Sequence, residues 1–232
     1  MSEFATAEVA LIEDRLGSVR ERIRAAGGGD HIRIVGVTKR HPVSTCVAAL
    51  AAGLADLGEN YVPELLEKHS GLSGSPDSPQ GVVWHLIGGL QTNKVRKLVS
   101  LAGASALVIQ TIDRTTVLQE VARRLPGASV LVQVDGSGLP DRSGCAWDEV
   151  EALVAGGVDA GLDVRGLMTV AAPVADAGQR AVEAHFRRLR AAADRLGLSD
   201  CSMGMSDDLE SAVGAGSTMV RLGTALFGSR VG

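Results

Sequence analysis

The chain has 232 residues, a length that suits one large domain or two small ones. Hydrophobic residues make up 45% and charged residues 22%, close to globular averages, which excludes disordered, collagen-like and supercharged classes. A net charge of -4 lacks the basic excess that drives binding to phosphate backbones, and with 3% aromatic residues there are few rings to stack on unpaired bases, so no nucleic-acid partner is expected. The apolar volume has to come from Ala, Val, Leu and Ile, which suits helices packed on a buried sheet.

No apolar run approaches the ~18 residues needed to cross a bilayer, and the opening MSEFATAEVA lacks the basic and apolar regions of a secretory signal. No membrane partner and a cytoplasmic location are the expectation. Cys46, Cys145 and Cys201 are too few and too scattered for a disulfide framework, and none belongs to a CxxC pair. Without HExxH, an EF-hand loop or a His/Cys cluster, no metal site is expected.

In chain order, residues 7–26 place Val9, Ile12, Leu16, Val19 and Ile23 at spacings of three and four, which predicts an amphipathic helix ended by Gly27-Gly28-Gly29. HIRIVGVTK reads as a buried strand finishing at Lys39, and Pro42 opens a helix running to Ala52. The alternation then repeats: LADLGEN, VVWHLIG, ALVIQTID, SVLVQVD, DVRGLMTV, CSMGMS and TMVRLG as strands. The helices between and after them are YVPELLEKH, QTNKVRKLVSLAG, TTVLQEVARRL, DEVEALVAGG, AGQRAVEAHFRRLRAAADRLG, DDLESAVGAG and TALFGSR. SGLSGSPDSPQG at residues 70–81 reads as a loop without chemistry, ahead of a strand.

About eight apolar strands, each followed by a helix, imply a parallel sheet covered on both faces. The fold class is therefore α/β, a single (β/α)8 TIM-type barrel over residues 31–230 with an extra N-terminal helix, making residues 1–232 one domain.

In such a barrel the active site lies where strands end, and phosphate sites are often built from the loops after strands seven and eight. Those loops read SMGMSDD and RLGTALFG. Ser206 at a helix start offers a hydroxyl beside backbone amides, Gly223 admits close backbone approach and Thr224 adds a hydroxyl. Ser206 reads equally as a helix N-cap. Lys39 closes the first strand beside Thr38, Arg40 and His41. Partial desolvation and neighbouring cations lower a lysine pKa and free the lone pair for a Schiff base, whereas a solvated lysine at a strand end has no such role. An aldehyde-reactive lysine and a phosphate cradle in one barrel mouth match the two ends of pyridoxal 5'-phosphate (PLP). Arg221 then reads as a cation facing the pyridine nitrogen, which keeps that nitrogen unprotonated and weakens the ring as an electron sink.

VGVTKRHP, GENY at Gly58 to Tyr61, WHLIGGLQTNK at Trp84 to Lys94, GLMTV at Gly166 to Val170 and SMGMSDDLESAVGAGSTMVRLGTALFG together resemble the pyridoxal phosphate homeostasis protein family over Ile34 to Arg230. The resemblance implies a barrel like the N-terminal domain of alanine racemase, with PLP as an internal aldimine on Lys39. It implies Ser206, Gly223 and Thr224 as phosphate ligands, Arg221 as pyridine partner, and Asn60, His85 and Met203 lining the pocket. A monomer and PLP-dependent apoenzymes as partners are the matching expectations. Two positions depart from the family: Gly89 stands where relatives more often carry histidine, and Arg142 where they carry lysine, a cation that either attracts the cofactor or sits in solvent.

Three functions compete. A PLP-binding protein that buffers or delivers the cofactor, without turnover, fits all the motifs. A PLP enzyme acting on amino acids, such as an alanine racemase, needs an acid/base group on each face of the substrate. In racemases one of these is a tyrosine from a second domain, while this sequence has one tyrosine, Tyr61, and reads to Gly232 with no such domain. A sugar-phosphate barrel enzyme accounts for Lys39 and the cradle but not for the motif set.

Overall fold

The computed structural model describes residues 3–73, 81–101, 106–136 and 143–228. Helix α1 (Glu3–Ala25) precedes β1 (Arg33–Val37), α2 (Val43–Ala51), β2 (Asp56–Glu59), α3 (Val62–Ser73), β3 (Val83–Leu86) and α4 (Thr92–Leu98). Then follow β4 (Ala106–Ile112), α5 (Thr115–Arg124), β5 (Ser129–Gly136), α6 (Val150–Asp159) and β6 (Asp163–Ala171). The chain continues through α7 (Val174–Ala177), α8 (Gln179–Arg195), β7 (Asp200–Ser202), α9 (Leu209–Gly214), β8 (Met219–Leu222) and α10 (Thr224–Phe227). The strands form a closed barrel in sequence order, each parallel to its neighbours, and β8 returns to β1 with Val35 opposite Arg221. The expected barrel and its extra N-terminal helix are both present.

Strand alternation sorts the core into two parts. Residues facing outward, among them Ile34, Leu57, Trp84, Ile109, Val132, Leu167, Cys201, Met203 and Val220, join the helices in one continuous apolar cluster. Ile12, Leu16, Val19 and Ile23 bring α1 into contact with the same body as one buried face, as their spacing demands. Inside the barrel the apolar cluster is small: Val108, Leu131 and Met168, with Val83 and Val170 packed against it. Val35 and Met219 also lie inside, beside a buried polar group: Gln110 on β4 reaches both His85 on β3 and Ser202 on β7.

Three boundaries differ from the sequence expectation. Strand β1 stops at Val37, so Lys39 sits in the following turn, where Arg40 has a positive φ of 63°. Helix α9 starts at Leu209 with Asp208 as N-cap, so Ser206 lies two residues before the cap. Residues 70–73 belong to α3 rather than to the expected loop. Residues 74–80 of that loop, and Arg142, lie outside the described residues. Among the described residues, no helix is long and apolar enough to cross a membrane.

Candidate functional site at the barrel mouth

A cavity of about 750 Å³ opens at the C-terminal ends of the strands. Val37 and Lys39 from the end of β1, Asn60 after β2, Ile87 after β3 and Val170 on β6 form one part of its wall. Met205, Ser206 and Asp207 after β7, Arg221 on β8, and Gly223, Thr224 and Ala225 at α10 form the remainder. Of the expected site residues, Lys39, Asn60, Ser206, Arg221, Gly223 and Thr224 are thus brought together. His85 and Met203 are fully buried and do not line the cavity. Met203 follows Cys201 and Ser202 at the end of β7 and packs outward in the apolar cluster, while His85 faces inward one layer below the mouth.

The turn carrying Lys39 is held from behind by a buried ionic cluster. Lys68 on α3, 3% exposed, donates to the Thr38 carbonyl at 2.6 Å, to Glu59 at 2.7 Å and to Glu64 at 2.8 Å. Thr38 donates its hydroxyl to Glu59 at 2.6 Å, and the Arg40 amide donates to the Glu64 carboxylate. These bonds fix the backbone on both sides of Lys39, including the left-handed Arg40 that the turn requires. Burial works against the Lys68 ammonium, but Glu59 and Glu64 outweigh it and raise its pKa. Burial also pushes the Glu59 carboxyl up, against the Lys68 and Thr38 hydrogen bonds. Asn60 is set by close approach: a Cβ at Gly88 would lie 2.2 Å from the Asn60 carbonyl oxygen, so only glycine lets the loop after β3 pass this close.

After β7, Asp208 accepts from the Met205 amide at 2.5 Å and closes the loop whose Met205, Ser206 and Asp207 line the cavity. Arg22 on α1 donates to the Ser206 carbonyl at 3.1 Å, so Ser206 is held through its backbone and does not act as the helix cap. Gly223 is not demanded by packing, because a Cβ there would meet Val37 only at ordinary contact, 3.4 Å to its carbonyl. The glycine instead leaves the backbone bare toward the cavity.

Arg221 is 4% exposed and donates from one terminal nitrogen to the Ser202 hydroxyl at 2.6 Å and from the other to the Thr169 carbonyl at 2.7 Å. Burial lowers its pKa to about 10, against the pull of Asp208, so it stays a cation at neutral pH. With Lys39, it gives the lining two cations against a single carboxylate, Asp207, among the described residues. The cavity therefore favours an anion.

Sequence reasoning singled out the loop from Met203 to Ser206 and weighed Asp207 as a charge opposing an anion, but assigned neither Met205 nor Asp207 to the site, and it missed the apolar wall of Val37, Ile87 and Val170. It also missed Ser202, which touches Arg221, and Gln110 and Lys68, which lie one contact further back.

The alanine racemase N-terminal domain family matches residues 12–231. The chain is 39% identical over 233 residues to the pyridoxal phosphate homeostasis protein of Pseudomonas aeruginosa, covering 96% of this chain and 97% of that one. Its structure is similar to that of PipY of Synechococcus elongatus without PLP, with a TM-score of 0.79, 29% identity, and coverage of 94% of this chain and 100% of PipY. PipY with PLP bound is also similar, with a TM-score of 0.73, 30% identity and the same coverage. Barrel, mouth cavity and motif set define a member of the alanine racemase N-terminal domain class, and within it the chain belongs to the pyridoxal phosphate homeostasis protein family.

Proposed function

We propose that this protein binds PLP at the barrel mouth as a Schiff base on Lys39 and buffers or delivers the cofactor in the cytoplasm, without catalytic turnover. The observation that carries the reading is the convergence on one cavity of Lys39, the hydroxyl residues Ser206 and Thr224 and the bare backbone of Gly223. The residues fit the group. Lys39 would supply the amine for the cofactor's aldehyde, a condensation that releases water. The cradle takes a phosphate, Val37, Ile87 and Val170 suit the faces of an aromatic ring, and Arg221 stands for its nitrogen edge. Bound PLP supplies an electrophilic aldehyde and an electron-withdrawing ring. Asn60 borders the pocket, while His85 and Met203 act from behind it.

Support for a carrier comes from the lining. The sole tyrosine, Tyr61, is 54% exposed and does not line the cavity. Asp207, the only lining carboxylate among the described residues, neighbours Ser206 on the phosphate side. Among the described residues, the lining thus offers no group set to reprotonate an amino-acid carbanion from the face opposite Lys39. A cationic Arg221 beside the ring nitrogen also weakens the electron sink. The protein acts as a monomer, and PLP-dependent apoenzymes are its acceptors.

The test is transfer. PLP-loaded protein mixed with an apoenzyme acceptor is expected to restore the acceptor's activity while racemising alanine negligibly. Racemisation at ordinary enzyme rates of about 1–1000 per second would replace the carrier reading with the racemase one.

A further inference from the structure

A line of hydrogen bonds crosses the barrel interior from Arg221 at the mouth toward the N-terminal ends of the strands. Arg221 donates to the Ser202 hydroxyl at 2.6 Å, and Ser202 donates to the Gln110 amide oxygen at 2.6 Å. The Gln110 amide nitrogen meets His85 Nδ1 at 2.8 Å, and His85 Nε2 meets the Asp56 carboxylate at 2.8 Å. His85, Gln110 and Ser202 are each fully buried.

The polarity of this line is fixed at both ends. A guanidinium only donates and a carboxylate only accepts, so each neutral group between them has to accept on one side and donate on the other. His85 then carries its proton on Nε2 and accepts at Nδ1. Burial lowers the His85 pKa, against the Asp56 hydrogen bond, which keeps the ring neutral and able to accept. Gln110 also donates to the Met219 sulfur at 3.0 Å, which holds its amide nitrogen away from Ser202.

We propose that Ser202, Gln110, His85 and Asp56 form a one-way hydrogen-bond line whose role is to keep a hydroxyl lone pair turned to Arg221 and so fix the guanidinium that faces the cofactor ring. Each link sets the polarity of the next. Without Gln110 as acceptor, the Ser202 hydroxyl is free to rotate its hydrogen toward Arg221, where it repels the guanidinium N–H and leaves the Thr169 carbonyl to hold the other terminal nitrogen. Without the His85 acceptor, the Gln110 amide loses the partner that selects its orientation. Chains of this kind polarise one another in a low-dielectric interior, so a distal link is felt at the mouth. These are positioning residues that act through Arg221, and the inference rests on the PLP reading for its functional meaning.

The experiment uses Ser202→Ala, Ser202→Thr and Gln110→Leu, with two measurements on each folded protein. The first is the arginine side-chain 15N–1H NMR spectrum without PLP, in which Arg221→Ala identifies the Arg221 signal. The second is the visible absorption band and dissociation constant of added PLP. Ser202→Ala and Gln110→Leu are expected to shift or broaden the Arg221 signal, to move the PLP band in the direction that Arg221→Ala moves it, and to weaken PLP binding about tenfold. Ser202→Thr, which keeps the hydroxyl, is expected to restore both. An Arg221 signal and a PLP band unchanged in Ser202→Ala overturn the proposal and leave these residues as interior packing. If the parent protein takes up no PLP, the PLP reading fails, while the NMR arm still decides whether the line positions Arg221.

Discussion

Arg221 and Lys68 are the residues on which the site's electrostatics turn. Arg221 is expected to govern the electronic state of the bound ring, so Arg221→Ala should shift the visible band of the PLP complex and weaken retention while the Ser206–Thr224 cradle still holds the phosphate. Visible spectra and PLP dissociation measured side by side check this, and an unchanged band would remove Arg221 from the ring. Lys68 acts at one remove. Replacing it with Met keeps most of the volume but leaves Glu59 buried at 0% exposure with its ionic partner gone, and one Glu59 oxygen already lacks a hydrogen-bond partner. Breaking a buried pair from one side costs about 3–5 kcal/mol, so Lys68→Met should lower stability by that order in urea unfolding. Adding Glu59→Gln should recover part of the loss, because no uncompensated charge then remains inside. A Lys68→Met protein as stable as the parent would mean that the cluster does not brace the Lys39 turn.

Among the elements, α1 is the one a barrel does not need, and its contacts tie it to the site. Arg22 bonds the Ser206 carbonyl at 3.1 Å and pairs with Glu210 on α9. Seven residues earlier on the helix, Arg15 bonds the Leu226 carbonyl of α10 at 3.0 Å. Two turns of one helix therefore strap the Ser206 loop and helix α10, which carry the proposed phosphate cradle. The double variant Arg15→Ala/Arg22→Ala is expected to weaken PLP binding about two- to tenfold, the worth of one or two ordinary hydrogen bonds, without moving the absorption band. A band shift would show that the helix reaches the ring and not only the cradle; unchanged affinity would make α1 a cover for the core alone. The helix itself was legible in sequence, because Ile12, Leu16, Val19 and Ile23 repeat at helical spacing. The strands were legible for the complementary reason, as short apolar runs between helices. Inside the strands legibility ended. Gln110 sits in ALVIQTI and Ser202 in a three-residue strand, and over so few residues the sequence does not say which side faces the axis. That is why His85 and Met203, read as pocket residues, lie below the mouth and outside the barrel wall. Lys39, Gly223 and Thr224 were found because they sit in the loops where the fold class puts its chemistry. Lys68 was not, since a lysine on an amphipathic helix reads as solvated.

At the scale of the whole molecule, the barrel separates its duties. The larger apolar cluster lies between strands and helices, and the interior combines a small apolar cluster with a line of polar groups that runs from the strand starts to the mouth. At the strand starts Arg33 pairs with Asp200 at 2.7 Å and Arg165 with the same carboxylate at 3.3 Å, so charges close that end as Lys39 and Arg221 open the other. On the proposed reading, Lys39 is the aldehyde-reactive amine at an anion-binding mouth, which is what a reversible cofactor carrier requires and less than a racemase needs. The account stands on that single amine. Borohydride reduction of the PLP-loaded protein followed by peptide mapping tests it most directly: the expected result is one phosphopyridoxyl adduct, on Lys39, absent together with the visible band in Lys39→Ala. An adduct on Lys94 or another lysine, or a band that persists in Lys39→Ala, would contradict it.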